Sequence, residues 1–310
     1  MAELIFLNPV LKDVIWGGNA LRTQFGYEIP SETTGEAWVV SAHKNGDCVV
    51  RGGEFDGQTL NQLWQEHREL FGGQEGDQFP ILIKIIDAKQ DLSIQVHPDD
   101  AYAKVHENGS LGKTECWYIL DCDPGASIVV GHNASSTEEM QQMIAEDRWD
   151  DLLQVRPIQK GDFFQIEPGT VHAIQYGTLI LEIQQSSDIT YRMYDYNRLQ
   201  NGKLRPLHLE QCMDVIRCPH QDVVLSRDKE ENQDYMLEHM VTCPFYTVEH
   251  AIIHGSLERP AQPLYEMVDV IAGEGTINGT LIRKGDHFVI PSGYGAYTLQ
   301  GEMEIMLSRP

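Results

Sequence analysis

Seven stretches of this chain alternate apolar and polar residues at a period of two and are bounded by turn residues: 47–51, 80–86, 92–97, 116–120, 163–166, 179–183 and 190–194. A period of two sends successive side chains to opposite faces of an extended backbone, so the pattern demands sheets that bury one face. The fold class read from it is mainly β. Three stretches follow the helical period instead. Over 58–71, Thr59 and Gln62 form a capping box ahead of Leu63 and Trp64. Over 138–153, Ser135 or Ser136 leads with Glu138 or Glu139 three residues on, and Met140, Met143 and Ile144 share a face. Over 205–216, Pro206 stands near the first turn and Leu209, Cys212, Met213 and Ile216 line one side. These stripes are packing faces.

Length and one repeat set the organisation. A chain of 310 residues is enough for about two domains. Residues 218–240 combine a proline with a charged run and few large apolar residues, which marks a connection. Lys160-Gly161-Asp162-Phe163-Phe164-Gln165-Ile166 aligns with Lys284-Gly285-Asp286-His287-Phe288-Val289-Ile290 at an offset of 124, and Gly169 falls on Gly293. His172 falls on Ala296 at the same offset. The expectation is two copies of one β architecture: residues 1–235 with a possible metal site and some added helices, and a smaller, degenerate 236–310 without one.

Charge and cysteines exclude several functions. Lys plus Arg number 23 against 47 Asp plus Glu, a formal charge of −24. Sequence-independent binding to nucleic acid or to an anionic membrane is therefore not expected, and an anionic ligand would need a local basic site. No stretch approaches the about 18 apolar residues of a membrane span. The N-terminus starts acidic and breaks at Pro9, and none of the 6 cysteines forms a close CxxC pair. The reading is a cytoplasmic protein with reduced thiols, monomeric or homodimeric.

Chemistry gathers in three segments. In Leu92-Ser93-Ile94-Gln95-Val96-His97-Pro98 a strand carries Gln95 and His97 two apart, on one face, until Pro98 stops the ladder. Gly112-Lys113-Thr114-Glu115 delivers a carboxylate at the mouth of an apolar strand, again with a charged residue two before it. Gly161 to Ala173 reads as a strand, a Pro168-Gly169 turn and a return strand bearing His172. Two imidazoles, a carboxylate and an amide suit a first-row divalent metal, zinc or iron better than calcium. In 179–184, Ile180, Glu182 and Gln184 alternate with Leu179, Leu181 and Ile183, so Glu182 and Gln184 face a polar interior.

The segment 161–172 resembles the second sequence motif of the cupins, although Glu167 stands where that motif usually has its proline. Pro80-Ile81-Leu82-Ile83-Lys84, the run from Leu92 to Asp99, and Gly112-Lys113-Thr114-Glu115 are together similar to type I mannose-6-phosphate isomerases. Glu36-Ala37-Trp38, Leu181-Glu182 and Thr190-Tyr191-Arg192 share that similarity, which runs over roughly residues 5–215. The length is similar to the short bacterial form of the family, without the large helical insertion. The resemblance implies two cupin-type jelly-roll β-barrels, and one zinc ion per chain bound by His97, Glu115 and His172 with Gln95 as a fourth ligand. It further implies that Arg192, Glu182 and Lys113 are catalytic, that Ser93 and Lys84 bind substrate, and that the partner is a small sugar phosphate.

The residue types fit such chemistry. Moving a carbonyl between C1 and C2 of a sugar requires removal of an α-proton and its return to the neighbouring carbon through an enediol. A metal would act as a Lewis acid on the developing charge and a fixed guanidinium would share it. Lys84 and Lys113 would form the basic pocket for the phosphate. Arg192 and Glu182 are expected on adjacent antiparallel strands joined through 185–189, with His172 on a neighbouring strand. Two alternatives remain open on the residues alone: a mononuclear iron oxygenase, since two His and one Glu also make a facial triad, and a non-catalytic sugar-binding cupin.

Overall fold

Every residue of the strand Ile81–Ala88 is buried, which requires a sheet covered on both faces. The computed structural model describes residues 3–310 and shows what covers it. The strand lies in a six-stranded antiparallel sheet, in the order Phe163–Ile166, Glu115–Cys122, Thr178–Gln185, Ile81–Ala88, Thr34–Val40, Val10–Asp13. One face of this sheet looks across at a five-stranded sheet in the order Leu153–Pro157, Ser127–His132, His172–Ile174, Ile94–Val96, Tyr191–Tyr194. Ile86, Ile119 and Ile180 from the first and Ile128, Val130 and Ile174 from the second pack between them. The two sheets form a cupin-like sandwich, not a barrel closed by hydrogen bonds.

The outer face of the six-stranded sheet is the second cover. Ile83, Ile85, Leu181, Ile183 and Cys116 pack there against Met240, Tyr246, Val248, Met267 and Met306 of the C-terminal body. Each such side chain contributes about 1.5–3 kcal/mol by leaving water. The outer face of the five-stranded sheet is covered by helices: Met140, Met143 and Cys212 pack on Ile94, Val96, Ala173 and Met193. All three helical stretches are present, though shorter than the periodicity suggested. The first is Leu60–Glu66, closed by the expected Thr59–Gln62 capping box and followed by a short 3-10 turn, Arg68–Phe71. The second splits into Thr137–Ala145 and Trp149–Leu152, with Asp147 in the left-handed region between them. The third is Leu209–Val215, capped by His208, so Pro206 lies before the helix and not in its first turn. Ala20–Phe25 and Asp100–His106 were not foreseen; at six and seven residues they are too short to display a period.

The C-terminal body is a ten-stranded sheet built on the long strands Glu266–Ile277 and Tyr297–Arg309. It takes in Lys229–Glu231 at one side, and at the other Ile5–Asn8, which pairs with His287–Ile290. The two segments aligned by the repeat, Phe163–Ile166 and His287–Ile290, are both strands, each entered from a turn whose glycine, Gly161 or Gly285, has φ of 89°. That left-handed conformation is costly for any residue with a Cβ.

One expectation is overturned. Thr178–Gln185, which carries Glu182, pairs with Ile81–Ala88 and Glu115–Cys122, whereas Tyr191–Tyr194, which carries Arg192, pairs with Ile94–Val96 in the opposite sheet. The two strands are not neighbours. Residues 186–190 cross from one sheet to the other instead of turning back as a hairpin, because both edges of Thr178–Gln185 are already paired. His172 likewise lies in the sheet opposite Glu182.

A polar contact joins the two bodies. Tyr118 donates from its hydroxyl to Glu304 Oε1 at 2.7 Å, and His250 Nε2 lies 2.9 Å from the same oxygen. Burial works against ionisation of Glu304, but the hydrogen bonds from His250 and Tyr118 outweigh it and hold the carboxyl below its usual range. Tyr118→Phe removes the donor and keeps the ring. It is expected to cost about 1.5–3 kcal/mol, the usual value of a hydrogen bond to a charged group, read as a lower urea midpoint at unchanged slope. A midpoint equal to wild type would show that the contact does not help hold the bodies together.

Candidate metal centre and active site

Two rows of side chains meet between the sheets. Across the six-stranded sheet the register sets Trp38 opposite Lys84, Lys84 opposite Glu182, and Glu182 opposite Trp117. Across the five-stranded sheet it sets Arg192 opposite Gln95 and Gln95 opposite His172. The rows face one another, with the rings of Trp117 and His172 centred 5.5 Å apart. Glu115, at the start of its strand and two residues before Trp117, shares Trp117's inward face. His97 enters one residue after Ile94–Val96. Gly169, in the left-handed turn before His172, ties the histidine segments together by donating its N–H to the His97 carbonyl at 2.9 Å. A Cβ at Gly169 would stand 2.5 Å from the Val215 carbonyl, so no other residue fits.

The donors converge. His97 Nε2 and His172 Nε2 are 3.1 Å apart, and Glu115 places Oε2 3.6 Å from the first and Oε1 3.4 Å from the second. The Gln95 side-chain amide is 3.3 Å from His172 Nε2. His97, Glu115 and His172 are all but fully buried. His172 Nδ1 lies 2.8 Å from the Thr170 carbonyl, an acceptor, so Nδ1 carries the proton and Nε2 offers its lone pair to the cluster. Burial lowers both imidazoles, His172 to about 4 and His97 well below the usual range with further help from Lys113 and His172, so both are neutral at pH 7.

A cation fits this arrangement. Two neutral ring nitrogens and a carboxylate that converge on one buried point are the donor types a divalent first-row metal takes. A tetrahedron of donors held 2.0–2.1 Å from a zinc ion has edges of about 3.3 Å, which is the spacing seen. Among the described residues, His97, Glu115 and His172 are the group of three or more His, Cys, Asp or Glu side chains able to hold a metal. The Gln95 amide borders the group through His172.

Around the donors lies a charged shell. Lys113 Nζ is 2.6 Å from Glu115 Oε2, 3.2 Å from His97 Nε2 and 3.9 Å from Glu182 Oε1. Lys84 Nζ is 3.2 Å from Glu182 Oε2, and Trp117 Nε1 donates to Glu182 Oε1 at 3.3 Å. Burial pushes the Glu115 carboxyl up against the pull of Lys113. Glu182 is driven down instead, because Lys113 and Lys84 together outweigh its burial. Ser93 Oγ donates to Gln95 Oε1 at 3.4 Å. Both lysines are buried and spend their charge on these carboxylates, so they are not an open basic pocket. A cleft of about 470 Å³ is lined by His43, Lys44, Asn45 and Asn61, and by Asp188 and Ile189 of the crossing segment between Glu182 and Arg192.

Sequence reasoning named Gln95, His97, Glu115, His172, Lys84, Lys113, Glu182 and Ser93, and the structure brings them together; Arg192 stands beside Gln95 in its row. It missed Trp117, although the period-two rule applied from Glu115 would have found it. It also missed Trp38 as a neighbour of Lys84, with the Lys84 Nζ 5.2 Å from the ring centre. No local signal pointed to that pairing.

Fold and site together define a cupin-like protein with a buried cluster of two histidines and a carboxylate that is able to hold a metal. The description "phosphomannose isomerase type I, catalytic domain" matches residues 4–124, and "mannose-6-phosphate isomerase, cupin domain" matches residues 236–310. The mannose-6-phosphate isomerase ManA of Bacillus subtilis (strain 168) is 48% identical over 99% of this chain and 98% of its own. The mannose-6-phosphate isomerase of Streptococcus mutans is 47% identical over 99% and 98%. A crystal structure of the mannose 6-phosphate isomerase from Bacillus subtilis superimposes with a TM-score of 0.97 at 43% identity, covering 100% of both chains. The chain belongs to the type I mannose-6-phosphate isomerase family, which are aldose-ketose isomerases.

Proposed function

We propose that the protein interconverts mannose 6-phosphate and fructose 6-phosphate by proton transfer through an enediol, with one zinc ion per chain held by His97, Glu115, His172 and Gln95. The observation that carries this reading is the set of buried donors at tetrahedral spacing, next to an ionised Glu182 and an arginine. A zinc ion there supplies Lewis-acid polarisation of a sugar oxygen, worth several kcal/mol.

The protein's own residues do the rest. Lys84 and Lys113 keep Glu182 charged, so it accepts hydrogen bonds from sugar hydroxyls and orients the carbon that loses its proton. Arg192 presents planar donors to the oxygen on which negative charge grows. Lys113 steadies Glu115 and Glu182; Ser93, donating to Gln95, and Lys84, paired with Glu182, bind the sugar end of the substrate through the groups they orient and do not form a phosphate pocket. Lys84 and Lys113 balance Glu182 and Glu115, so a divalent cation and Arg192 leave the centre with surplus positive charge. That surplus attracts a phosphorylated sugar into a chain whose formal charge is −24. Residues 1–235 would hold this site and 236–310 would support it without a metal. The six free cysteines fit a reducing cytoplasm, and among the described residues no helix is long and apolar enough to cross a membrane.

The test is elemental analysis of the purified protein together with a coupled assay for fructose 6-phosphate formed from mannose 6-phosphate. About one zinc per chain and zinc-dependent turnover are expected. Iron with oxygen consumption would replace this reading by an oxygenase, and sugar binding without turnover would replace it by a non-catalytic cupin.

A further inference from the structure

Arg192 lies on Tyr191–Tyr194, the edge strand of the five-stranded sheet, where one side of the backbone has no neighbouring strand to fix it. The N–H and C=O of a residue point to the same side of a strand, and those of Arg192 point to the open edge. There the N–H donates to His208 Nδ1 at 3.0 Å, and the carbonyl accepts from the His208 N–H at 2.8 Å. A single histidine thus closes both backbone bonds that a further strand would have made. The sheet itself holds this point loosely, since the register with Ile94–Val96 shifts between Arg192 and Tyr194. The guanidinium is not anchored at its Nε, which among the described residues is buried without a hydrogen-bond partner. The direction of the side chain is therefore set from its backbone.

His208 is itself fixed. It caps Leu209–Val215, and its carbonyl accepts from the Cys212 N–H at 2.8 Å. The buried Cys212 in turn donates from Sγ to the Tyr191 carbonyl at 3.6 Å. The His208 ring is centred 6.1 Å from that of Tyr191. Helix and edge strand are joined at Arg192 and at Tyr191 just before it.

We propose that His208 is a positioning residue for Arg192, clamping the edge strand so that the guanidinium meets the reacting oxygen; this rests on the role of Arg192 given above. The clamp needs an acceptor at the Nδ1 position. Asparagine supplies one there, whereas glutamine carries its amide one carbon further out and leucine has none.

The experiment is steady-state kinetics, with metal content measured, on His208→Asn, His208→Gln and His208→Leu, each also combined with Arg192→Ala. A displacement of about 1 Å costs on the order of 10²-fold in rate. His208→Leu and His208→Gln are accordingly expected to lower kcat about 10- to 100-fold, with KM changed less than about threefold and metal retained. His208→Asn is expected to return to within about threefold of wild type. In the Arg192→Ala background none of the three should matter further, since residues acting as a unit are non-additive. Equal losses for Asn and Gln, or full additivity with Arg192→Ala, would overturn the clamp. If Arg192→Ala alone keeps normal turnover, the role of Arg192 fails instead. Should His208→Leu not fold, the Asn and Gln pair carries the same comparison.

Discussion

His172→Ala is expected to strip the protein of its metal and to lower isomerase turnover by at least about 10³-fold. His172 is where the constraints on the centre meet. Its Nε2 stands within 3.1–3.4 Å of His97, Gln95 and Glu115, and its Nδ1 is committed to the Thr170 carbonyl. Removing the ring leaves three donors, one of them a carboxylate whose burial already opposes ionisation. A metal contributing several kcal/mol to the transition state is lost with it, and about 4 kcal/mol corresponds to 10³-fold. Elemental analysis and the coupled assay on the same preparation check both halves. A variant that keeps stoichiometric metal and near-normal turnover would remove His172 from the centre. Chelation of the wild-type protein should copy the loss of activity and lower thermal stability, because a ligand bound only by the folded state stabilises it.

Arg192→Ala should lower kcat about 10²- to 10³-fold, the usual loss when one preorganised donor to a developing oxyanion is removed. KM should change less, since the interaction strengthens only as charge develops. Lysine at this position should recover little, because one ammonium cannot reproduce the planar fork. The structure adds a reason: Arg192 stands beside Gln95 on the sheet opposite that of Glu182, so its position is set by a strand that Glu182 does not share. Kinetics at verified metal occupancy decide it. Normal turnover in Arg192→Ala would leave the residue a structural role only.

Most of the donor set was legible because it obeys local rules. Gln95 and His97 are two apart on one strand, Glu115 opens another, and a Pro-Gly turn returns the chain to His172. Lys84 and Glu182 were legible as polar residues inside otherwise apolar strands. The lysines were misread as a free basic pocket because their partners lie on other segments. Glu182 comes from 98 positions beyond Lys84, and the register that joins them is set only when Thr178–Gln185 takes its place between Ile81–Ala88 and Glu115–Cys122.

The sequence by itself determined the β class, the duplicated Lys-Gly-Asp strand entry, the helical packing stripes and the residues of the buried His97–Glu115–His172 cluster. Each of these is written in spacings of two to a few residues, over which backbone geometry acts directly. Only the tertiary structure decided which sheet each strand joins, that Arg192 faces Glu182 from the opposite sheet, and that His208 holds the edge beneath Arg192. These are pairings between segments whose local preferences are satisfied by more than one partner. Burial of both faces of Ile81–Ala88 and Thr178–Gln185 selects among them, because strands apolar on both faces need a covering layer on each side.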